Sequence, residues 1–203
     1  LMFFDFFYKR RILKALKKLL NNEKKIIFDV GGHNGESILF FNKSLNVLNI
    51  YSFEPLENNF SKLKINTKKI AKKITYFNCA LGEKKEKKII KEMIETSSST
   101  FNEINESSEY FRKKKFFLGV KEKNKMFIEK KVSVEKAINI IKKFKIEKID
   151  LLKIDTEGYE LNVIKGFEKS IDVVKVIIFE HHFDLMIKKN YNYSDINKYL
   201  ANK

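Results

Sequence analysis

Acidic residues stand at the ends of successive short apolar runs: Asp29 in "FDVGGHNGES", Glu54 in "SFEP", and Asp155 and Glu157 in "KIDTEGYE". A further run ends in "FEHH", which sets Glu180, His181 and His182 at its tip. Carboxylates and a histidine at neighbouring strand ends can orient a hydroxyl or take its proton near neutral pH. The glycine segment carries the most specific pattern. Asp29 is followed by Gly31, Gly32, His33, Asn34 and Gly35, a D-x-G-x-x-x-G spacing. Glycines permit a tight turn and close backbone approach, and the helix that follows offers unpaired N–H groups. The spacing is not the G-x-G-x-x-G of dinucleotide enzymes. An acid before the loop repels a pyrophosphate but accepts hydrogen bonds from an ammonium, so the expected ligand has an amino-acid head group. Glu54 stands where an acid can bind both hydroxyls of a ribose. Asn78, Cys79 and Ala80 end the next run, where an adenine edge would lie; Cys79 reads as a small wall residue, since no partner base is evident. Amino acid, ribose and adenine in that order describe S-adenosylmethionine.

These groups meet only if the runs that carry them are parallel strands, because ligands sit beyond the carboxyl ends of such strands. The spacing of Ile12, Leu13, Leu16, Leu19 and Leu20 predicts a first helix over 9–20. "KIIFDV" (25–30), "LNIYSFEP" (48–55, ended by Pro55, the only proline) and "KITYFNCAL" (73–81) read as strands, separated by helices over 35–44 and "ENNFSKLKINTKKI". Residues 83–145 interrupt the alternation: "KKIIKEMI" and "MFIEKKVSV" read as two strands flanking "ETSSSTFNEINESSEYFRKKK", which shows no periodic apolar face and is expected as a loop. "VEKAINIIKKFK" is helical, then "KIDLLKID" (148–155) a strand, "YELNVIKGFEKS" a helix and "VVKVIIFEHH" (173–182) a strand. A loop and a helix are expected in "FDLMIKKNYNYSDINKYLANK". Continuous apolar runs alternating with helices predict an α/β fold, a mostly parallel sheet with helices on both faces and a β-hairpin and loop insertion between the third and fourth core strands. The 203 residues read as one domain, with an N-terminal helical segment over 1–24 and an insertion or flap over 83–145.

The formal net charge is +16, carried by lysine; the arginines are Arg10, Arg11 and Arg112. A polyanion partner or a compositional bias toward lysine, asparagine and isoleucine would each produce it. Specific phosphate recognition prefers arginine forks, so nucleic acid is not the expected partner. The single cysteine excludes a disulfide framework and fits a reducing, cytoplasmic setting. No run approaches the roughly 20 apolar residues of a membrane span. In "LMFFDFFYKRRILKALKKLL" the basic residues follow the apolar cluster, the reverse of a secretory signal. That segment is expected to pack on its own domain; the alternative is a basic amphipathic helix lying on a membrane surface.

"FDVGGHNGES", "SFEP", "NCALGE", "SSST", "LLKIDTEGYELNVIKG" and "IIFEHH" occur in the order and approximate spacing of the FkbM-type methyltransferases, which the chain resembles over about residues 25–185. The resemblance implies a Rossmann-like class I methyltransferase fold, S-adenosylmethionine as methyl donor, and a hydroxyl acceptor on a sugar or secondary metabolite. It places Asp29, Gly31, Gly32, His33, Asn34, Gly35, Glu54, Asn78, Cys79 and Ala80 at the cofactor. Gly32 and His33 stand where the family usually has Ala and Asn. Asp155, Glu157 and His182 are the expected catalytic residues, His182 as base with a carboxylate orienting it or the substrate. A divalent metal on Asp155 with Glu180 or His182 is the other route to an activated hydroxyl; the resemblance does not require it, and none is expected. "TSSSTF" (96–101) is expected on a flap near the substrate. The function expected is O-methylation of a carbohydrate or glycan precursor. The alternatives are 2′-hydroxyl methylation of RNA, since "DTEG" lacks the Asn/Asp-Pro-Pro-aromatic element of amino-directed enzymes, and a non-catalytic cofactor-binding protein. Class I sheets normally finish with a helix and two further strands, which the residues after "FEHH" do not supply.

Overall fold

The computed structural model describes residues 2–93, 99–117, 127–180 and 186–203. Helix α1 (Met2–Leu19) leads into β1 (Lys25–Val30), and the glycine loop turns the chain into α2 (Glu36–Ser44). β2 (Val47–Phe53), α3 (Glu57–Asn66), a 3-10 turn (Lys68–Lys73) and β3 (Ile74–Phe77) follow. Next come β4 (Ala80–Leu81), β5 (Glu86–Met93), β6 (Ser99–Thr100), β7 (Glu103–Ile104), α4 (Glu109–Phe117), β8 (Phe127–Glu135) and α5 (Ala137–Phe144). Then follow β9 (Leu151–Ile154), α6 (Glu160–Lys165), a second 3-10 turn (Glu168–Val173), β10 (Ile177–Phe179), β11 (Ile187–Lys188) and α7 (Tyr193–Ala201).

The main sheet has the order β10-β9-β1-β2-β3, with every pair parallel. Successive side chains along a strand face opposite sides. Ile27, Ile50 and Leu151 pack with Leu16 of α1, Ile38 and Phe41 of α2 and Leu63 of α3. Phe28, Phe53 and Leu152 pack on the other face with Ile140 and Ile141 of α5, Val163 and Ile164 of α6 and Ile196 of α7. Both faces are therefore covered, which is why the strands read as continuous apolar runs. Phe28, Phe53 and Phe167 are all fully buried, and each such ring contributes roughly 2–3 kcal/mol by leaving water. The result is the α/β architecture expected from the alternation, with the Rossmann-like winding that the resemblance implied.

β1 and β9 are neighbours although the chain visits β2 and β3 between them. The winding reverses at that pair, so the loops leaving β1 and β9 diverge and open a crevice above the sheet. The insertion forms a second sheet, β4-β8-β5-β6, in which β5 and β8 are antiparallel partners from Glu86↔Val134 to Met93↔Phe127.

Several expectations needed correction. The third run is not one strand: β3 stops at Phe77, and Ala80–Leu81 leaves to pair with β8. The polar stretch expected as a loop contains β6, β7 and α4. Phe111 of α4 packs with Met93, Met186 and Ile187, partners far away in sequence that give the segment its buried side. Helices α3 and α6 are shorter than their apolar spacing suggested. Thr67 ends α3, its hydroxyl donating to Leu63 O at 2.7 Å. α6 ends at Gly166, whose Cβ would lie 2.2 Å from Gly82 O. The C-terminal loop supplies β11, which pairs antiparallel with β7. Among the described residues no strand follows β10 in the main sheet.

Candidate active site

Asp29 closes β1 with its carboxylate fully buried. One oxygen accepts from Ser37 Oγ at 2.8 Å and the other from Ser52 Oγ at 3.2 Å. Lys153 Nζ lies 3.3 Å from the same carboxylate and 3.5 Å from Asp155 Oδ2, and it donates to Gly31 O at 2.7 Å. The ammonium that Asp29 was expected to meet is thus supplied by the chain itself. Burial pulls the Lys153 pKa down, but Asp29 and Asp155 pull it up and prevail, so the cation is secure. Gly31 adopts φ +78, and a Cβ there would lie 1.9 Å from Asp155 O; only glycine lets the ends of β1 and β9 approach this closely. A Cβ on Gly32 would lie 2.4 Å from the Ser52 hydroxyl that holds Asp29.

Glu54 follows β2 and is 4% exposed. Its Oε2 accepts from His33 N and its Oε1 from Leu56 N, each at 2.9 Å. Burial pushes its pKa up, and the N–H groups of Leu56 and His33 hold it back. His33 sits at φ +45, a backbone region disfavoured for side chains other than glycine, and its Nδ1 is 3.5 Å from Glu36 Oε2. Asn78 is exposed and braces the same turn, donating to Glu54 O at 3.0 Å. Cys79 packs against the core, and burial, with Glu135 second, pushes its thiol up to about 12. Asn34 accepts at its carbonyl from Asn66 Nδ2, while its Oδ1 is buried without a partner.

The β9 loop forms the opposite rim. Glu157 is held at φ +49, with its carbonyl accepting from Thr100 Oγ1 at 2.7 Å. Asn102 Nδ2 donates to Gly158 O at 2.5 Å. Beneath them, fully buried Glu160 accepts from Gly158 N at 2.8 Å and from the Tyr191 hydroxyl. Thr100 and Asn102 continue the serine-rich stretch, so that segment clamps the rim. Ser99 borders the cleft, and residues 96–98 lie outside the described residues.

A cleft of about 940 Å³ runs along this edge of the sheet. Gly31, Gly32, His33, Glu54, Ala80, Asp155, Glu157 and Glu180 all line it. Asn34, Gly35, Asn78 and Cys79 are not among its lining residues. His181 and His182 lie outside the described residues. Sequence reasoning missed Lys153, Ser37 and Ser52, the buried partners of Asp29. The lysine in "KIDTEGYE", two positions before Asp155, was the available signal, since alternation turns it and Asp155 the same way. Among the described residues no group of three or more His, Cys, Asp or Glu side chains could hold a metal.

The Methyltransferase FkbM domain matches residues 29–203, and the chain belongs to that family. Among solved structures it is similar to a methyltransferase FkbM from Methylobacillus flagellatus KT, at 18% identity and a TM-score of 0.47, over 76% of this chain and 32% of that one. The chain thus spans about a third of the length of that protein. It is also similar to an rRNA methylase from Streptococcus thermophilus, at 12% identity and a TM-score of 0.48, over 95% of this chain and 78% of that one. No curated protein matches it.

Proposed function

We propose that the chain is an S-adenosylmethionine-dependent O-methyltransferase whose acceptor is a carbohydrate hydroxyl. The observation that carries this reading is the sign of charge in the cleft. The chain bears a formal +16, yet the described lining sets Glu36, Glu54, Asp155, Glu157 and Glu180 against Lys153 and His33. Lys153 is already committed to Asp29 and Asp155. A cleft of that sign attracts a sulfonium cation and opposes a phosphate-bearing ligand.

The residues present fit such a cofactor. Beyond the bonds it accepts from Leu56 N, His33 N and the Asn59 side chain, the Glu54 carboxylate keeps acceptor capacity for a ribose hydroxyl. The first N–H groups of α2 suit the carboxylate of an amino-acid head group. Its ammonium falls to Asp155, whose side chain is 40% exposed, because Asp29 is fully buried. Ala80 and Leu81 offer apolar surface to an adenine. When bound, S-adenosylmethionine supplies an electrophilic methyl group. The protein's task is to hold the acceptor oxygen in line with it and to receive the hydroxyl proton. Glu157 stands on the rim to accept a hydrogen bond from that hydroxyl, and His182 keeps the role of base assigned from the sequence.

Calorimetric titration with S-adenosylhomocysteine tests the pocket. Wild type is expected to bind, and Glu54→Ala to bind about 100-fold more weakly, the equivalent of one hydrogen bond to a charged group. Unchanged affinity in Glu54→Ala would remove the assignment. Turnover on RNA and none on saccharides would overturn the acceptor class.

A further inference from the structure

Helix α1 gives only one of its sides to the domain. Leu16 and Leu20 are 1% and 4% exposed and pack with partly buried Ile12 against α2 and the sheet, an i, i+4, i+8 set on one face. Arg11, Lys14 and Lys18 follow an i, i+3, i+7 spacing on the opposite face and are exposed, as are Arg10 and Lys17. Among the described residues, Arg11, Lys14 and Lys18 make no ion pair. The helix runs without a break back to Met2, through positions 3–8, which hold five aromatic residues and Asp5. Positions 3, 4 and 7 precede Arg11 by eight, seven and four residues, spacings that share a helix face. The only acid of the helix, Asp5, stands eleven residues before Leu16, three turns along the domain-facing side.

The outward face is thus an aromatic half followed by a cationic half. Six lysines and arginines against one aspartate give the 18 residues of α1 a formal charge of +5. A lipid surface matches both halves, because anionic headgroups lie directly above an apolar interface that takes aromatic rings. An RNA strand matches the charge but not five aromatic positions gathered into less than two turns at one end of it. Among the described residues no helix is long and apolar enough to cross a membrane, so the geometry is that of a helix lying on the surface. Ile12 also lines the cleft, and a surface on the far side of α1 lies one helix diameter, roughly 10–12 Å, from that wall.

We infer that the outward face of α1 docks this chain on an anionic lipid membrane, the aromatic segment entering the interface and Arg11, Lys14 and Lys18 meeting the headgroup charges. The inference stands apart from the O-methyltransferase reading, since neither cofactor nor acceptor enters it.

The test is co-sedimentation of the chain with vesicles of phosphatidylcholine alone and with about 30% phosphatidylglycerol added. The chain is expected to pellet with the anionic vesicles and to stay in solution with the neutral ones. Each basic contact near such a surface is worth roughly fivefold in partitioning, so the triple variant Arg11→Gln, Lys14→Gln, Lys18→Gln should bind about 100-fold more weakly. All three residues are exposed, and the melting temperature should not change. A control triple, Lys87→Gln, Lys130→Gln, Lys131→Gln, removes the same charge from exposed positions of β5 and β8 and should bind as wild type does. The chain has no tryptophan, so Phe7→Trp installs a single reporter whose emission should shift to the blue on anionic vesicles. Equal sedimentation with both vesicle types, no binding to either, or equal losses in the two triple variants would each overturn the docking face. So would an unshifted Phe7→Trp emission in the bound state, or displacement from the vesicles by polyuridylate at matched charge, which would assign the basic face to RNA.

Discussion

Replacing Lys153 with methionine keeps most of the side chain's length and removes its ammonium. Lys153 is 13% exposed and Asp29 is fully buried, so the substitution strands a carboxylate without a counter-ion. Breaking a buried pair in this way costs about 3–5 kcal/mol. Ser37 and Ser52 still donate to Asp29, which places the expected loss near the lower end, about 3 kcal/mol. For a chain of this size that is roughly a 6–12 °C fall in Tm. The pH dependence follows from the direction of the shift. The folded pKa of Lys153 is raised, so its contribution is full below the unfolded value of about 10.4 and is lost only as pH rises through the folded value. The gap between wild type and Lys153→Met should therefore stay flat from about pH 6 to 9. The Asp29→Asn, Lys153→Met double variant carries no stranded charge and should recover much of the loss. Urea denaturation at matched pH measures all of this. A single variant within about 1 kcal/mol of wild type, or a double variant no more stable than the single, would refute the argument that the ion pair organises the cleft floor.

The Cys79 thiol, pushed up to about 12 by burial, should react with iodoacetamide at about pH 8 at least roughly 1,000-fold more slowly in native buffer than in high urea; similar rates would contradict the placement. Asp150 accepts from Ile26 N at 3.0 Å and pairs with Lys148 at 2.9 Å and with buried Lys25 at 3.7 Å. Burial pushes its pKa up, but Lys148 and the Ile26 N–H outweigh it and the net shift is downward. Its stabilisation is thus present above about pH 4 and lost as pH falls through the depressed folded value. Asp150→Asn should cost about 3 kcal/mol at neutral pH and converge with wild type in acid denaturation curves, whereas a pH-independent gap would show that the charge is not the cause.

Placement of the rim was legible because each element announces itself locally. A buried strand ending in glycine, an acid before a proline turn and "DTEG" before a helix are short patterns, and Gly31, Glu54, Asp155 and Glu157 all reach one cleft. The buried polar partners were not legible. Asp29 is held by Ser37, Ser52 and Lys153, and the Glu157 carbonyl by Thr100, 57 positions earlier. Glu160 accepts from Tyr191, 31 positions later. Such pairs leave no periodicity in the chain. The same reason hid α4, whose buried residue Phe111 has its partners in β5 and at the start of β11.

Alternation of apolar runs and helical spacings determined the parallel sheet and its covered faces, because burial on one or both sides writes itself into side-chain periodicity. Tertiary structure alone decided that Asp29 spends its charge on Lys153 and that, among the described residues of a chain of +16, acids outnumber bases along the cleft. Which charges neutralise one another depends on distances across strands, and a linear order of residues does not contain those distances.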